Sequence, residues 1–136
     1  MNKILQVFIF LLFSFSPIFG IEFREIKEIV LKKDELKKIL VKYDDKEKLL
    51  KFRWTLYKNG GLVVFRSYDK IVAQNVLYLR HKNQSIRIEL KTRGSDFYNV
   101  AYVILKFKEF KYDTKEVVFE LLLSDASMKI ALEYLK

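Results

Sequence analysis

The sequence predicts an all-β protein: an antiparallel β-sandwich or partly open barrel of about eight or nine short strands, preceded by an N-terminal signal helix. Three observations carry this. Short runs alternate apolar and polar residues with a period of two, which places successive side chains on opposite faces of a strand. Clusters such as Asn59-Gly60-Gly61 and Thr92-Arg93-Gly94-Ser95-Asp96 separate the runs and supply the backbone angles that reversals need. No regular alternation of strand with helix appears, which disfavours a parallel sheet.

The chain begins Met1-Asn2-Lys3 and continues in an almost unbroken apolar run from Ile4 to Phe15. A charged start and a short apolar stretch describe a secretory signal peptide, and the run falls short of the roughly 20 residues that span a bilayer. Residues 1–20 are therefore expected to be a cleaved signal, with the cut after Gly20, and residues 21–136 a single β-sandwich domain. The expected location is periplasmic or secreted. If the segment stayed uncleaved it would anchor the protein, and a membrane is expected as a partner only in that way. The sequence has no cysteine, so neither a lipid-modified cysteine nor a disulfide is available, and stability after export rests on the core.

Residues 22–43 fit two descriptions. Phe23, Ile26 and Val30 begin a helical stripe, but Lys33 and Lys37 fall where it should continue. Two strands, Ile29-Val30-Leu31 and Ile39-Leu40-Val41 reversed around Lys33-Asp34-Glu35, are the better reading. Asp44-Asp45-Lys46 then leads into a hairpin over residues 49–69. Phe52, Trp54 and Leu56 alternate with Lys51, Arg53, Thr55 and Tyr57, and Asn59-Gly60 closes the turn. That loop sets Leu56 opposite Val63, Trp54 opposite Phe65 and Arg53 opposite Arg66, with Phe52, Trp54, Leu56, Val63 and Phe65 on one buried side. A loop at Gly60-Gly61 keeps the same faces together. Leu62 to Phe65 is apolar on both parities, as for a central strand covered on both sides.

An irregular crossing from Lys70 to Gln74 is expected next, followed by a hairpin reversing at His81-Lys82-Asn83-Gln84, with Leu79 against Ile86 and Leu77 against Ile88. A third hairpin runs from Val100 to Phe110 and from Glu116 to Leu123. A three-residue loop at Tyr112-Asp113-Thr114 pairs Phe107 with Phe119, Leu105 with Leu121 and Lys106 with Glu120. The tail from Met128 reads as a helix capped by Ser124 or Asp125, or as a last strand with Ile130, Leu132 and Tyr134 inward, and the strand is favoured.

Charge is unevenly placed. Without Lys3 the 26 Lys and Arg become 25, against 17 Asp and Glu, and residues 52–94 alone hold 9 bases against 2 acids. Five of those nine are Arg53, Arg66, Arg80, Arg87 and Arg93, and guanidinium suits bidentate contact with carboxylate or phosphate. The expected hairpins bring Arg53, Tyr57, Arg66, Tyr78, Arg80 and Arg87 onto a basic, aromatic sheet face, with Lys91 and Arg93 nearby.

Catalytic motifs are sparse. His81, the single histidine, sits in a turn between Arg80 and Lys82 and reads as a solvated residue. One histidine and no cysteine give no zinc set, the acidic pairs lack the spacing of a calcium loop, and Gly60-Gly61 does not open a phosphate-binding loop. No cofactor is implied. Asp69, Glu89, Asp96 and Glu120 could converge as a carboxylate pair, so an envelope hydrolase is one alternative. The favoured expectation is a small exported, non-catalytic binding or docking module that uses the basic aromatic face toward an anionic envelope component or an acidic protein surface. Nucleic acid fits such a face chemically but not an exported protein. A further alternative is an inhibitor or assembly subunit acting through an edge strand.

Overall fold

A computed structural model describes residues 23–90, 100–125 and 129–136. The proposed signal helix and cleavage site, Lys91, Arg93 and Asp96 lie outside these residues. The described chain is all-β, with nine strands in two antiparallel sheets and no helix.

Four consecutive strands form a meander: β2 (Lys37–Tyr43), β3 (Lys46–Lys58), β4 (Gly61–Tyr68) and β5 (Ile71–Tyr78). They reverse at Asp44-Asp45, Asn59-Gly60 and Asp69-Lys70, and all six of these residues have positive φ. Two left-handed residues in a row make the primed turn whose twist matches that of the flanking strands. The last strand, β9 (Ala131–Tyr134), pairs with the far side of β2, so this sheet runs β5-β4-β3-β2-β9. The second sheet runs β1-β8-β7-β6, from β1 (Glu25–Lys32), β8 (Glu116–Ser124), β7 (Tyr102–Lys111) and β6 (Ser85–Glu89).

The sheets pack face to face. Phe52 meets Phe119 edge-on with centroids 5.5 Å apart, and Trp54 meets Phe110 in the same manner at 6.0 Å. The Trp54 indole N–H donates to the Leu31 carbonyl at 2.9 Å. The Asp34 N–H donates to the Trp54 carbonyl at 2.8 Å, so one residue fastens the β1–β2 crossover to β3.

Several sequence expectations hold. Residues 22–43 hold two strands, the tail is a strand with Ile130 buried and Leu132 and Tyr134 against the core, and Phe107–Phe119, Leu105–Leu121 and Lys106–Glu120 are register partners. In that third hairpin β7 and β8 close at Lys111 and Glu116, one residue later than a three-residue loop would place them, and a bulge at Lys108 restores the register.

Four expectations are corrected. The strands around Lys33-Asp34-Glu35 do not pair with each other: β1 joins β8 and β2 joins β3. Nor do the strands around His81-Gln84, since β5 and β6 belong to opposite sheets. Both reversals carry the chain across the sandwich, and alternation alone cannot tell a crossing from a hairpin. Lys70 to Gln74 is also no irregular crossing, because β5 starts at Ile71 directly after a tight turn.

The fourth correction concerns the central hairpin. Leu56 does face Val63, but a bulge at Thr55 shifts the rest by one residue, so Trp54 pairs with Val64, Arg53 with Phe65 and Phe52 with Arg66. An unpaired extra residue reverses the phase of alternation on one strand only. Phe52 and Trp54 stay buried, whereas Leu56 is 48% exposed, and Val63 and Phe65 lie on the outward parity opposite that of buried Leu62 and Val64.

Tyr68 joins the sheets at the other side of the core, its buried hydroxyl donating to the Leu90 carbonyl. Burial, then the neighbouring Tyr43, pushes its pKa well above the ordinary 10.0. The folded state thus holds this proton while the unfolded chain releases it, so the stabilisation is complete below pH 10 and declines as pH rises further. The expected slope is about 1.4 kcal/mol per pH unit for this group. Tyr68→Phe should cost about 1 kcal/mol at neutral pH and remove that part of the alkaline slope, as read by urea unfolding at pH 7, 10 and 11. A variant with the parent's slope would contradict the assignment.

Candidate functional site

The six residues expected to share one face separate into four environments. Arg53 and Tyr78 lie on the outer face of the five-stranded sheet. Arg80 stands just past β5 in a left-handed turn, its N–H held by the Gln84 side chain at 3.3 Å.

Tyr57 and Arg66 turn inward instead. Tyr57 stacks on Phe110 at 4.2 Å and shares a 3.3 Å hydrogen bond with the Tyr112 hydroxyl. That bond, with burial behind it, raises its pKa. Arg66 donates from Nε to the Asn75 side-chain oxygen at 3.0 Å, and burial lowers its pKa. Arg87 is on the opposite side of the molecule, on the outer face of the four-stranded sheet, with its guanidinium 3.8 Å from the Tyr102 ring centre. Two causes separate the set. The Thr55 bulge moves Tyr57 and Arg66 off the parity of Arg53, and the β5–β6 crossover puts Arg87 in the other sheet.

A different constellation occupies the outer face of the five-stranded sheet. The strand register assembles it in rows: Lys58, Gly61 and Tyr78; Leu56, Val63 and Val76; Arg53, Phe65 and Gln74; then Lys38, Lys51, Ser67 and Val72. The middle of the face is apolar, with Val72 73% and Val76 39% exposed beside Leu56. The Tyr78 ring lies over Gly61, where an added Cβ would stand 3.1 Å from it, so glycine there lets the aromatic ring close down on the sheet. The Arg53 guanidinium sits 5.7 Å from the Phe65 ring centre, joining the cationic and apolar parts.

Lys38 and Lys51 are direct cross-strand partners, an arrangement that costs stability through like-charge repulsion. Among the described residues no carboxylate lies within ion-pair distance of Lys38, Lys51, Arg53 or Lys58. The outer face of the other sheet is different: Lys108 bridges Glu28 at 2.9 Å and Glu120 at 3.7 Å, and Arg87 rests on Tyr102. On the five-stranded sheet Lys38, Lys51, Arg53 and Lys58 stand without a carboxylate partner beside exposed Leu56, Val72 and Val76, while the other outer face also exposes Ile26 and Val30. Lys38, Lys51 and Lys58 were missing from the sequence-based set because lysines are common along the whole chain. Leu56, Val63 and Phe65 were assigned to the core.

Of the acids proposed for hydrolysis, the described ones, Asp69, Glu89 and Glu120, stand on separate elements. Asp69 occupies the β4–β5 turn and accepts from Lys48 at 2.7 Å, Glu89 ends β6, and Glu120 faces outward on β8. His81 is exposed in the β5–β6 turn, its Nδ1 accepting from the Asn83 N–H at 3.4 Å. No cluster of three or more His, Cys, Asp or Glu suited to a metal ion occurs among the described residues.

Compared with known proteins, the chain matches no family model, no curated protein and no solved structure.

Proposed function

We propose that this is a small exported, non-catalytic docking module that uses the outer face of its five-stranded sheet to settle on an anionic lipid surface of the cell envelope. The observation that carries this reading is the combination on one face of Lys38, Lys51, Arg53 and Lys58, without acidic partners among the described residues, and an apolar row in which exposed Leu56 and Val76 flank half-buried Val63, with half-buried Phe65 and exposed Tyr78 beside it. A soluble polyanion would use the cations and leave the apolar row in water. A bilayer with anionic head groups uses both, because cations lie at the phosphate level while apolar and aromatic side chains reach the acyl boundary. Export follows from the apolar N-terminal run, and the domain after it is the part that docks.

Flotation with vesicles tests this. The protein should rise with vesicles containing phosphatidylglycerol and stay behind with pure phosphatidylcholine, and raising salt should weaken the association. Each cation near such a surface contributes about 1 kcal/mol. Changing Lys51, Arg53 and Lys58 together to Gln should therefore reduce binding about a hundredfold, and Leu56→Glu should also weaken it. Equal binding of parent and triple variant at low salt, or equal binding to both kinds of vesicle, would refute the reading.

A further inference from the structure

The four sheet edges are not alike. β9 is four residues long and carries Glu133. β6 is five residues long and carries Arg87 and Glu89. β1 is longer but charged along its length, at Glu25, Lys27, Glu28 and Lys32. Short length and charge are the usual devices that stop an edge from pairing with another chain. β5, Ile71-Val72-Ala73-Gln74-Asn75-Val76-Leu77-Tyr78, has neither: eight residues, no charge and no proline. It pairs with β4 in unbroken register, and no described strand lies on its other side.

The hydrogen-bonding phase of that free edge follows from one contact. The Tyr78 N–H points away from β4 and donates to the Asn83 carbonyl at 3.1 Å. In an antiparallel pair, residues alternate between those whose polar groups face the partner strand and those whose groups face away. With Tyr78 facing away, Val76, Gln74 and Val72 also turn their N–H and C=O groups to the open side.

We propose that β5 pairs antiparallel with β5 of a second copy of this chain, about a two-fold axis through Gln74, joining two five-stranded sheets into one. The strand is self-complementary about that residue. Val72 would face Val76 of the second copy, Gln74 would face its own counterpart, Ile71 would face Leu77, and Ala73 would face Asn75. Apolar residues meet apolar ones at Val72–Val76 on one face and at Ile71–Leu77 on the other, with Gln74 and the Ala73–Asn75 pairs between them, and the outward N–H and C=O groups of three residues on each strand form about six inter-chain hydrogen bonds. Sliding the pair by two residues sets Gln74 against valine and gives up part of this ladder. The formal charge of +9 opposes association of like copies, and an uncharged strand is the edge where that opposition is least. Pairing would also set the two outer faces side by side. The inference rests on the edge alone and holds whether or not the face binds lipid.

Because the chain has no cysteine, single cysteines report the register directly. Residues facing each other as a hydrogen-bonded pair have Cα atoms about 5.5 Å apart, within disulfide range. Under mild oxidation of the full chain, Gln74→Cys should give a covalent dimer. Val72→Cys and Val76→Cys should cross-link to each other when the two variants are mixed, and each far less with itself. Sedimentation of the parent should show mass doubling with rising concentration. Gln74→Lys, which places two ammonium groups across the axis, should remain a monomer at least tenfold beyond the parent's midpoint. The single Trp54 reports by fluorescence whether that variant is folded. Cross-linking of Gln74→Cys no faster than that of Lys82→Cys in the neighbouring turn would overturn the proposal. So would self-linking of Val72→Cys as efficient as its mixed linking, or a folded parent that stays monomeric at every concentration.

Discussion

Trp54→Ala is expected to cost about 3–5 kcal/mol, the range for removing a large buried aromatic side chain. Against a total stability of about 5–15 kcal/mol for a small domain, this brings the fold near its limit. The cost has two separable parts. The indole is 3% exposed and packs edge-on against Phe110, so truncation leaves a cavity between the sheets. It also donates to the Leu31 carbonyl, which lies on β1 in the other sheet and would lose its buried partner. Trp54→Phe separates the two, because it keeps most of the apolar volume and removes the donor. That variant should lose about 1–3 kcal/mol, the cost of a buried acceptor left unsatisfied. Trp54 is the single tryptophan of the chain, so urea unfolding of parent and variants should be followed by far-ultraviolet circular dichroism. A loss below about 1 kcal/mol for Trp54→Ala would mean that the side chain does not bridge the sheets, since only surface positions are that tolerant.

The strands were legible because alternation is a local property. Phe52 and Trp54, or Leu105, Phe107, Phe119 and Leu121, need only their own neighbours in sequence to declare a period of two. The positions of turns were legible for a related reason, since Asn59-Gly60 and the acidic pair Asp44-Asp45 tolerate the left-handed angles found there. The partner of each strand was not legible where the chain changes sheets. A reversal at Lys33-Asp34-Glu35 or at His81-Gln84 looks locally the same whether the chain folds back beside itself or crosses the sandwich. The basic face was misread for a similar reason. One uninterrupted register would bring Arg53 of β3, Arg66 of β4, Arg80 just past β5 and Arg87 of β6 together, and the bulge at Thr55 together with the β5–β6 crossing breaks that register twice. Arg53 and Tyr78 remain on a common face, while Arg66 and Tyr57 were carried inward. A signal of the true arrangement was present in Leu62-Val63-Val64-Phe65, where apolar residues occupy both parities. Coverage on both sides explains such a run, and so does one buried side with an apolar patch left open on the other.

Aspartate placed at two adjacent positions of β4 should distinguish these two explanations and test the bulge directly. Val64 is fully buried and faces Trp54 across the pair, whereas Phe65 is only partly buried and pairs with exposed Arg53. Val64→Asp puts a carboxylate between the sheets, where the nearest described cation is the inward Arg66, already bonded to Asn75 opposite position 64. The expected cost is still about 3 kcal/mol, because taking a carboxylate out of water costs several kcal/mol even beside a cation. Phe65→Asp puts the same group on the outer face beside a guanidinium, and its cost should stay within about 1 kcal/mol. A register without the bulge would set Val63 and Phe65 inward and Val64 outward, and the two effects would then exchange. Unfolding curves for the pair decide between the registers, because the substituted group is identical and only the face differs. Phe65→Asp should also diminish vesicle binding while leaving the protein folded, since it brings negative charge and removes an aromatic ring at the centre of the docking face. If Phe65→Asp unfolds the protein and Val64→Asp does not, the outward apolar row does not exist, and the lipid surface proposed for that face loses its basis.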